Sequence, residues 1–473
     1  MQPGVDVDTI KIDSRRELFV DDALIESMRD LRRVLNRPVP REIVLTCDAP
    51  WEGDNCAFAT VFHDGDLYRM YYRGSELDWH GGKVSYPHGQ VTCYAESDDG
   101  IHWRRPTLGI VDFEGTKQNN ILLGVCKGSH NFTPFRDSNP ACAPEAQYKA
   151  VGGLKSDGGL FAFQSPDGIA WSRVQKDPVL TEGAFDSQNI VFWDGSHGTY
   201  RAYYREFRDG RDIMTCTSDD FVHWSEPSWL EYIPERRTEL YTNQILPYYR
   251  APHILLGFPA RYITGRAMLT DLNRQISEVS ERFGTDYSDT GFMTSRDREH
   301  FSMWGEAFVR PGPIENGAWV YGDIYQNWGL VETASHMPGC PSELSVYLAE
   351  GNWRDGGVRL RRHTLRLDGF VSVLAGWDGG ELVTKPLVFA GNQLTLNVAT
   401  SAAGGLRVEI QNLDGSVVKG FALDDCREVF GDEIDVGVSW RDDPDLGALT
   451  GRAVRLRIAL HDADLYAFRF STQ

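Results

Sequence analysis

The stretch Ser97-Asp98-Asp99-Gly100-Ile101-His102-Trp103 decides the fold, because it returns along the chain. Copies stand at Ser165-Pro166-Asp167-Gly168-Ile169-Ala170-Trp171 and Ser218-Asp219-Asp220-Phe221-Val222-His223-Trp224, with a worn one at Ser295-Arg296-Asp297-Arg298-Glu299-His300-Phe301. The serine and aspartate are suited to hydrogen-bond the turn backbone, and the aromatic that follows to pack between neighbouring repeats. A second unit precedes the first. Tyr68-Arg69-Met70-Tyr71-Tyr72-Arg73 reappears as Tyr200-Arg201-Ala202-Tyr203-Tyr204-Arg205, and Tyr148-Lys149-Ala150-Val151 is a weaker copy. Asp64-Gly65 and Asp194-Gly195, both hairpin-turn dipeptides, lie ahead of the two full copies.

Each repeat therefore reads as strand, Asp-Gly turn, aromatic strand, third strand, Ser-x-Asp turn and fourth strand. Four antiparallel strands per repeat make a propeller blade. Five blades are predicted: Asn55 to Phe113, Asn119 to Leu180, Phe185 to Tyr232, Glu239 to Pro311, and Trp319 to about Val373. Leu18-Phe19-Val20, within Glu17 to Pro38, is a candidate strand to close the ring. From Gly379 the blade motif stops, and Leu394 to Val398, Leu406 to Ile410 and Val454 to Ile458 alternate in polarity, which predicts a β-sandwich. The expected architecture is all-β. Residues 1–50 pack on or close the propeller, 51–375 form a five-bladed β-propeller, and 379–473 form the sandwich. Asp271 to Arg282 is the one plausible long helix.

Composition agrees with an ordered protein. The 473 residues include 13 Trp, 19 Tyr and 23 Phe, too many aromatics for a disordered chain, and 47 Gly for turns. With 48 basic against 68 acidic residues the net charge is −20, which disfavours nucleic acid and anionic membrane as partners. Apolar runs such as His253 to Phe258 fall far short of a membrane span. Met1 to Ile12 lacks the pattern of a secretory signal, so the expectation is a cytoplasmic protein, or a secreted or periplasmic one already trimmed. Eight single cysteines without a CxxC pair predict reduced thiols and no zinc site. No cofactor is expected, and a homo-oligomer is compatible with the sequence.

The blade repeat, the run Ser218-Asp219-Asp220-Phe221-Val222-His223-Trp224-Ser225-Glu226-Pro227 and the appended sandwich resemble the five-bladed propeller glycoside hydrolases. That group holds the β-fructosidases, arabinanases and β-xylosidases. The fructosidase signatures Trp-Met-Asn-Asp-Pro-Asn-Gly, Arg-Asp-Pro and Glu-Cys are absent; Trp51-Glu52-Gly53-Asp54-Asn55 is the nearest fragment, so the resemblance is to a divergent member. It implies a glycosidase acting on oligosaccharides or polysaccharide ends, furanosides included, with carboxyl groups contributed by different blades.

Ligands of a propeller bind at a mouth of the central funnel, where each blade's innermost strand begins. Asn55, Asn131, Asn189, Asn243 and Asn327 mark those starts, and the carboxylates Asp54, Asp186, Glu239, Asp323 and Glu332 lie beside them. Glycoside hydrolysis needs one carboxyl to protonate the leaving oxygen and another to attack or to activate water. Asp186 is the first choice for nucleophile or base. Glu332, in an apolar strand, suits the acid, with Glu239 its rival and Asp54 and Asp323 further candidates. Trp51, His130, Asn131, Asn189, Arg205, Tyr241, Asn243 and Trp328 are the expected substrate contacts, and no metal site is expected. Arg73 and Arg205 end equivalent strands, where structural pairing is the simpler role. A silent carbohydrate-binding platform, a transglycosylase and a phosphorylase are the alternatives. The last would need a basic cluster drawn from residues such as His130, Arg205 and Arg261, which are scattered in the sequence. No GxGxxG, Walker, GxSxG or HExxH pattern supports another chemistry.

Overall fold

The computed structural model describes residues 9–55, 58–236 and 238–472. Contacts divide the chain into two compact units. One comprises Pro38–Tyr248 and Pro252–Leu365; the other comprises the residues up to Arg37, Tyr249–Ala251 and Arg366–Gln473.

The larger unit is a propeller-like succession of small antiparallel sheets. The first holds Thr60–Asp64, Leu67–Gly74 and Val91–Ser97 in order, with Trp103–Arg104 and Ile121–Leu123 on the outer strand. The second runs Thr133–Arg136, Tyr148–Gly152, Phe161–Ser165, Ser172–Arg173, and the third Ile190–Asp194, Thr199–Phe207, Arg211–Ser218, Ser228–Trp229. The fourth repeat is split between a five-stranded sheet and a three-stranded one, Glu239–Leu240, Ala260–Ile263, Tyr287–Thr290. The fifth centres on Glu343–Glu350 and Arg359–Arg366. The first and last sheets meet at their inner edges: Val61 N donates to Trp328 O at 2.8 Å and Trp328 N to Ala59 O at 2.9 Å.

The repeated turn is structural, as its chemistry predicts. Ser97 Oγ accepts from Gly100 N at 2.9 Å, and Asp99 Oδ1 accepts from Ile101 N and His102 N, both at 2.8 Å. The same pattern recurs at Ser165/Asp167 and Ser295/Asp297; at Ser218/Asp220, Asp220 Oδ1 again accepts from His223 N, while Ser218 Oγ accepts from Asp220 N at 3.3 Å. Sheet-to-sheet ties use the aromatic strands: Tyr71 Oη donates to Gly168 O at 3.0 Å, Tyr203 Oη to Arg298 O at 2.9 Å, and Trp103 packs edge-on against Tyr347 at 5.8 Å. Gly65-Asp66 make a two-residue hairpin loop, since Asp64 faces Leu67. Asp194 instead faces Thr199 across a longer loop in which Gly198, with φ +67°, takes the left-handed position.

Amides fill the middle of the ring. Gln244 Nε2 donates to Gln188 Oε1 at 2.6 Å and to Gln326 O at 2.9 Å, while Gln188 Nε2 donates to Thr60 Oγ1 at 3.1 Å. These glutamines come from the first-strand starts of three repeats and are buried. The axis is therefore a polar plug, though Gln244 Oε1 and both side-chain polar atoms of Gln326 are buried without a hydrogen-bond partner among the described residues.

One expectation about the amino-terminal residues needs correcting, that the strand at Leu18-Phe19-Val20 closes the ring. Arg16–Leu18 does not close the ring: it pairs antiparallel with the long strand Ala453–Ser471 in the other unit. The strand added to the fifth sheet is Val39–Thr46, which pairs with Arg359–Arg366. In the other unit, Ile10–Asp13, Arg16–Leu18, Ile25–Arg29 and Leu31–Leu35 join the carboxyl-terminal strands in one ten-stranded network. Its core includes Phe19, Leu394, Leu456, Phe468 and Phe470. A chain stretch too short to bury its own apolar side chains gains that burial by adding to an existing sheet.

Asp271 to Arg282 is helical in two pieces, α1 (Asp271–Ser277) and α2 (Glu281–Thr285). Thr270 caps α1 in a reciprocal box with Asn273. No helix among the described residues is long and apolar enough to cross a membrane.

Candidate functional site

Of four hollows, three hold residues singled out from sequence, and they separate them. One cavity of about 340 Å³ in the larger unit is lined by Asp186, His130 and Tyr241, together with Asn55, Phe58, Arg73, Gln90, Tyr321, Tyr325, Asn352 and Trp353. The α1–α2 segment contributes Val279, Ser280, Arg282 and Phe283. A second hollow, about 520 Å³, holds Asp54; a third, about 490 Å³, holds Glu239. The largest, about 720 Å³, lies on the other unit around Trp377 and His461 and contains none of the candidates.

Asp186 is the one carboxylate on the wall of the 340 Å³ cavity. Its position follows from local alternation: Phe185 and Ser187 point inward and are buried, which turns Asp186 outward, 60% of its side chain exposed. Ser187 Oγ locks the segment by donating to Tyr241 O at 2.7 Å, and Ala184 N donates to Arg205 O at 2.9 Å. Enclosure among protein atoms pushes the Asp186 carboxyl up. The hydrogen bond and charge of His130 and the charges of Arg205 and Arg73 outweigh it and hold the group down at about 2. His130 Nε2 lies 3.3 Å from Asp186 Oδ1, and an Arg205 Nη lies 4.0 Å from Oδ2. Burial lowers His130 itself, against the pull of Asp186. Its Nδ1 pairs with Gln90 Oε1.

The recurring asparagines tie strand starts to neighbours. Asn131, at φ +51°, donates to Ser187 O at 2.9 Å and accepts from Arg73 at 3.1 Å, so it braces the Asp186 loop from behind. Asn189 Nδ2 donates to Phe185 O and Ser187 O, both at 3.0 Å. Asn243 donates to Tyr203 O at 3.1 Å. Asn189 and Asn243 are buried and stand off the cavity wall, a correction to their expected substrate contact.

Other expectations fail for identifiable reasons. Glu332 lies between buried Val331 and Thr333 on its short strand, so alternation turns it to the opposite face; its carbonyl accepts from Tyr68 Oη at 2.7 Å. Glu239 is occupied by Arg211, whose Nη1 and backbone N lie 2.7 and 3.0 Å from Oε2. Trp328 is core, its Nε1 donating to Ile245 O at 2.9 Å, and Trp51 donates to Asn120 at 2.7 Å and packs on Phe113. None of these four lines the cavity.

Asp323 and Asp54 stand just behind the wall. Asp323 is fully buried; Oδ1 accepts from Asn352 N and Nδ2 at 3.0 and 2.8 Å, while Oδ2 has no partner. Burial pushes it up to about 7, the Asn352 hydrogen bonds opposing. Asp54 accepts from Leu77 N at 2.8 Å, and burial raises it to about 6. Asn352 and Leu77 both face the cavity, so each raised carboxyl is one residue removed from it.

Of the aromatic lining, sequence reasoning named Tyr241 and missed Phe58, Tyr321, Tyr325 and Trp353; it named the Asp271 to Arg282 helix but not the place of its Arg282 and Phe283 at the cavity. Phe58, Tyr241 and Tyr325 stack as a cluster, with Tyr241 6.4 Å from Phe58 and 5.3 Å from Tyr325. Phe283 lies 4.9 Å from Trp353 and 5.0 Å from Tyr321. Only the capping box Thr270-x-x-Asn273 signalled an insertion worth following; nothing local pointed it at the Asp186 loop. Among the described residues no group of three or more His, Cys, Asp or Glu is placed to hold a metal ion.

No family model matches the chain. It is 30% identical, over 142 and 144 residues, to two uncharacterized proteins of Mycobacterium tuberculosis, one from each of two strains; the match covers 29% of this chain. The chain spans 40% of the length of these curated relatives. Solved structures it is similar to include an N-acetylgalactosamine deacetylase from F. plautii (TM-score 0.43, 11% identity, 71% of this chain and 96% of that one). A Bombyx mori GH32 beta-fructofuranosidase gives 0.41 at 9% identity, covering 91% and 95%. The catalytic domain of a Coprinopsis cinerea GH62 alpha-L-arabinofuranosidase gives 0.42 at 10%, covering 70% and 97%.

Proposed function

We propose that this protein is a carbohydrate-active enzyme that cleaves glycosidic bonds of oligosaccharides or polysaccharide ends, furanosides included, in the 340 Å³ cavity. The observation that carries the reading is Asp186: an accessible carboxylate, held ionised by His130 and Arg205, beside the stacked rings of Tyr241, Phe58 and Tyr325. Aromatic faces suit the apolar faces of a sugar ring. A carboxyl kept near 2 is a poor proton donor at neutral pH and a competent nucleophile or base. The carboxyls kept high, Asp323 and Asp54, are the candidates for the proton that the leaving oxygen takes. The carboxyl-terminal unit is read as a β-sandwich, because one face of Ala453–Ser471 is buried residue by residue and needs a facing layer.

Asp186→Asn keeps the shape and removes the base, so turnover on a cleaved aryl glycoside should fall about 10³-fold or more. Aryl pentofuranosides, fructosides and hexosides are the panel to screen. Wild-type rates in Asp186→Asn would sink the assignment; sugar binding without turnover in the wild type would favour a silent platform.

A further inference from the structure

The cavity's charge runs against the rest of the molecule. In a chain of net charge −20, Arg73 and Arg282 line a wall that carries one carboxylate, Asp186; behind it stand a third guanidinium, Arg205, and two carboxyls, Asp54 and Asp323, which burial pushes toward their neutral form. Arg205 is buried and stands 4.0 Å from Asp186, its charge partner, while His130 contacts the same carboxylate at 3.3 Å. Its Nε has no partner, and its guanidinium lies 4.7 Å from the Tyr241 ring centre.

The other two cations hydrogen-bond only neutral partners. Arg73 is nine-tenths buried or more and donates to the Asn55 carbonyl, Asn55 Oδ1 and Asn131 Oδ1, all between 3.1 and 3.3 Å. Arg282, exposed at the end contributed by α2, rests over Phe283 at 4.5 Å and donates to Tyr321 Oη at 3.4 Å. Neither has a carboxylate within ion-pair distance among the described residues. Arg261, a scattered candidate in the sequence, is excluded because Asp289 engages it at 2.6 and 2.8 Å. A buried cation without a counter-ion is costly, and it persists where a ligand supplies the missing charge. Guanidinium forks match the planar or tetrahedral oxygens of carboxylates and phosphates and gain little from neutral hydroxyls.

We propose that the cavity takes an oxyanionic group, so that the substrate presented to Asp186 is a saccharide bearing a carboxylate or phosphate, or is cleaved with an inorganic oxyanion bound beside it. Asp186 does not oppose such a ligand, because the Arg205 guanidinium already stands 4.0 Å from it, while Arg73 on the wall and Arg282 at the rim have no carboxylate within ion-pair distance among the described residues. Assigning this anion to a substrate rests on the functional reading above; its capture does not.

The test is isothermal titration of the full chain at low salt with glucuronate, with inorganic phosphate, and with glucose as the neutral counterpart. At least one oxyanion should bind tenfold or more tightly than glucose and weaken as salt is raised. Arg282→Met should weaken it tenfold, and Arg282→Lys less. Arg73→Lys keeps the charge, so it guards against misfolding while losing the fork; circular dichroism melts monitor the fold. Glucuronate alone binding places the anion on the sugar, and phosphate alone makes it a separate co-substrate. Mutual competition means one oxyanion subsite serves both. Equal affinity for glucuronate, phosphate and glucose, or anion binding untouched by both Arg282→Met and Arg73→Lys, overturns the inference. Anion binding without Asp186-dependent cleavage would sink the functional reading alone. Asp186-dependent cleavage with no anion preference would sink this inference alone.

Discussion

At the scale of single residues, the molecule sets its carboxyls apart by their surroundings. Asp186 is ionised because cations face it; Asp323 is held near 7 because burial faces it, with one oxygen satisfied by Asn352 and the other left without a partner. An unfolded aspartate titrates near ~3.9, so between about pH 4 and 7 the folded chain holds a proton at Asp323 that the unfolded chain has released. Stability from this group is therefore full below about pH 4 and is lost as pH rises through 7. Asp323→Asn keeps the size of the side chain and cannot ionise. Urea unfolding at pH 4.5 and 7.5 should show wild type losing on the order of a few kcal/mol more than the variant across that interval. Parallel losses in the two proteins would show that Asp323 is ionised in the fold. Asp194 is the opposite case: burial works against its charge, and the guanidinium of buried Arg298, at 2.8 and 3.2 Å, holds it below the usual range.

At the scale of strands and turns, ring closure depends on a close approach at Gly329. Its φ is +126°, and a Cβ there would run into the Val61 carbonyl where the first and last sheets exchange hydrogen bonds. Gly329→Ala combines an unfavourable backbone conformation with a clash against main chain, so it should cost about 2–4 kcal/mol, read as a lowered denaturation midpoint. An unchanged midpoint would mean the two edges are not held together there. The repeats were legible in sequence because a Ser-x-Asp turn and a tyrosine-rich strand are local chemistry, fixed within ten residues. The site was only partly legible. Asp186, His130 and Tyr241, chosen from sequence because they flank inner-strand starts, do line one cavity. Glu332 was misread because one residue of register turns a strand side chain to the other face. Arg282, Phe283 and Trp353 reach the cavity from remote segments, and that convergence leaves no local trace in the sequence.

At the scale of the whole molecule, the repetition of one turn spreads a single pH-sensitive device around four sheets. Asp99, Asp167, Asp220 and Asp297 all lie below the usual carboxylate range. At Asp220 the hydrogen bond from His223 leads; at the other three, burial pulls upward and the turn's own donors outweigh it. Depressed carboxylates contribute stability that is present above about pH 4 and lost as pH falls through their folded values. The four turns share no hydrogen-bond partner among the contacts described, so their effects should add. Two sets of substitutions separate the hydrogen bonds from the charge. Ser97→Ala, Ser165→Ala, Ser218→Ala and Ser295→Ala each remove a hydroxyl that accepts turn amides. Each should cost about 1 kcal/mol at pH 7, summing in the combined variant. Replacing the four aspartates by asparagine keeps an acceptor oxygen for the amides and removes the titration. Thermal midpoints measured from pH 5 down to pH 3 should therefore fall less steeply in the fourfold asparagine variant than in wild type. If both fall together, the acid sensitivity lies outside the repeated turns, and their aspartates serve shape alone.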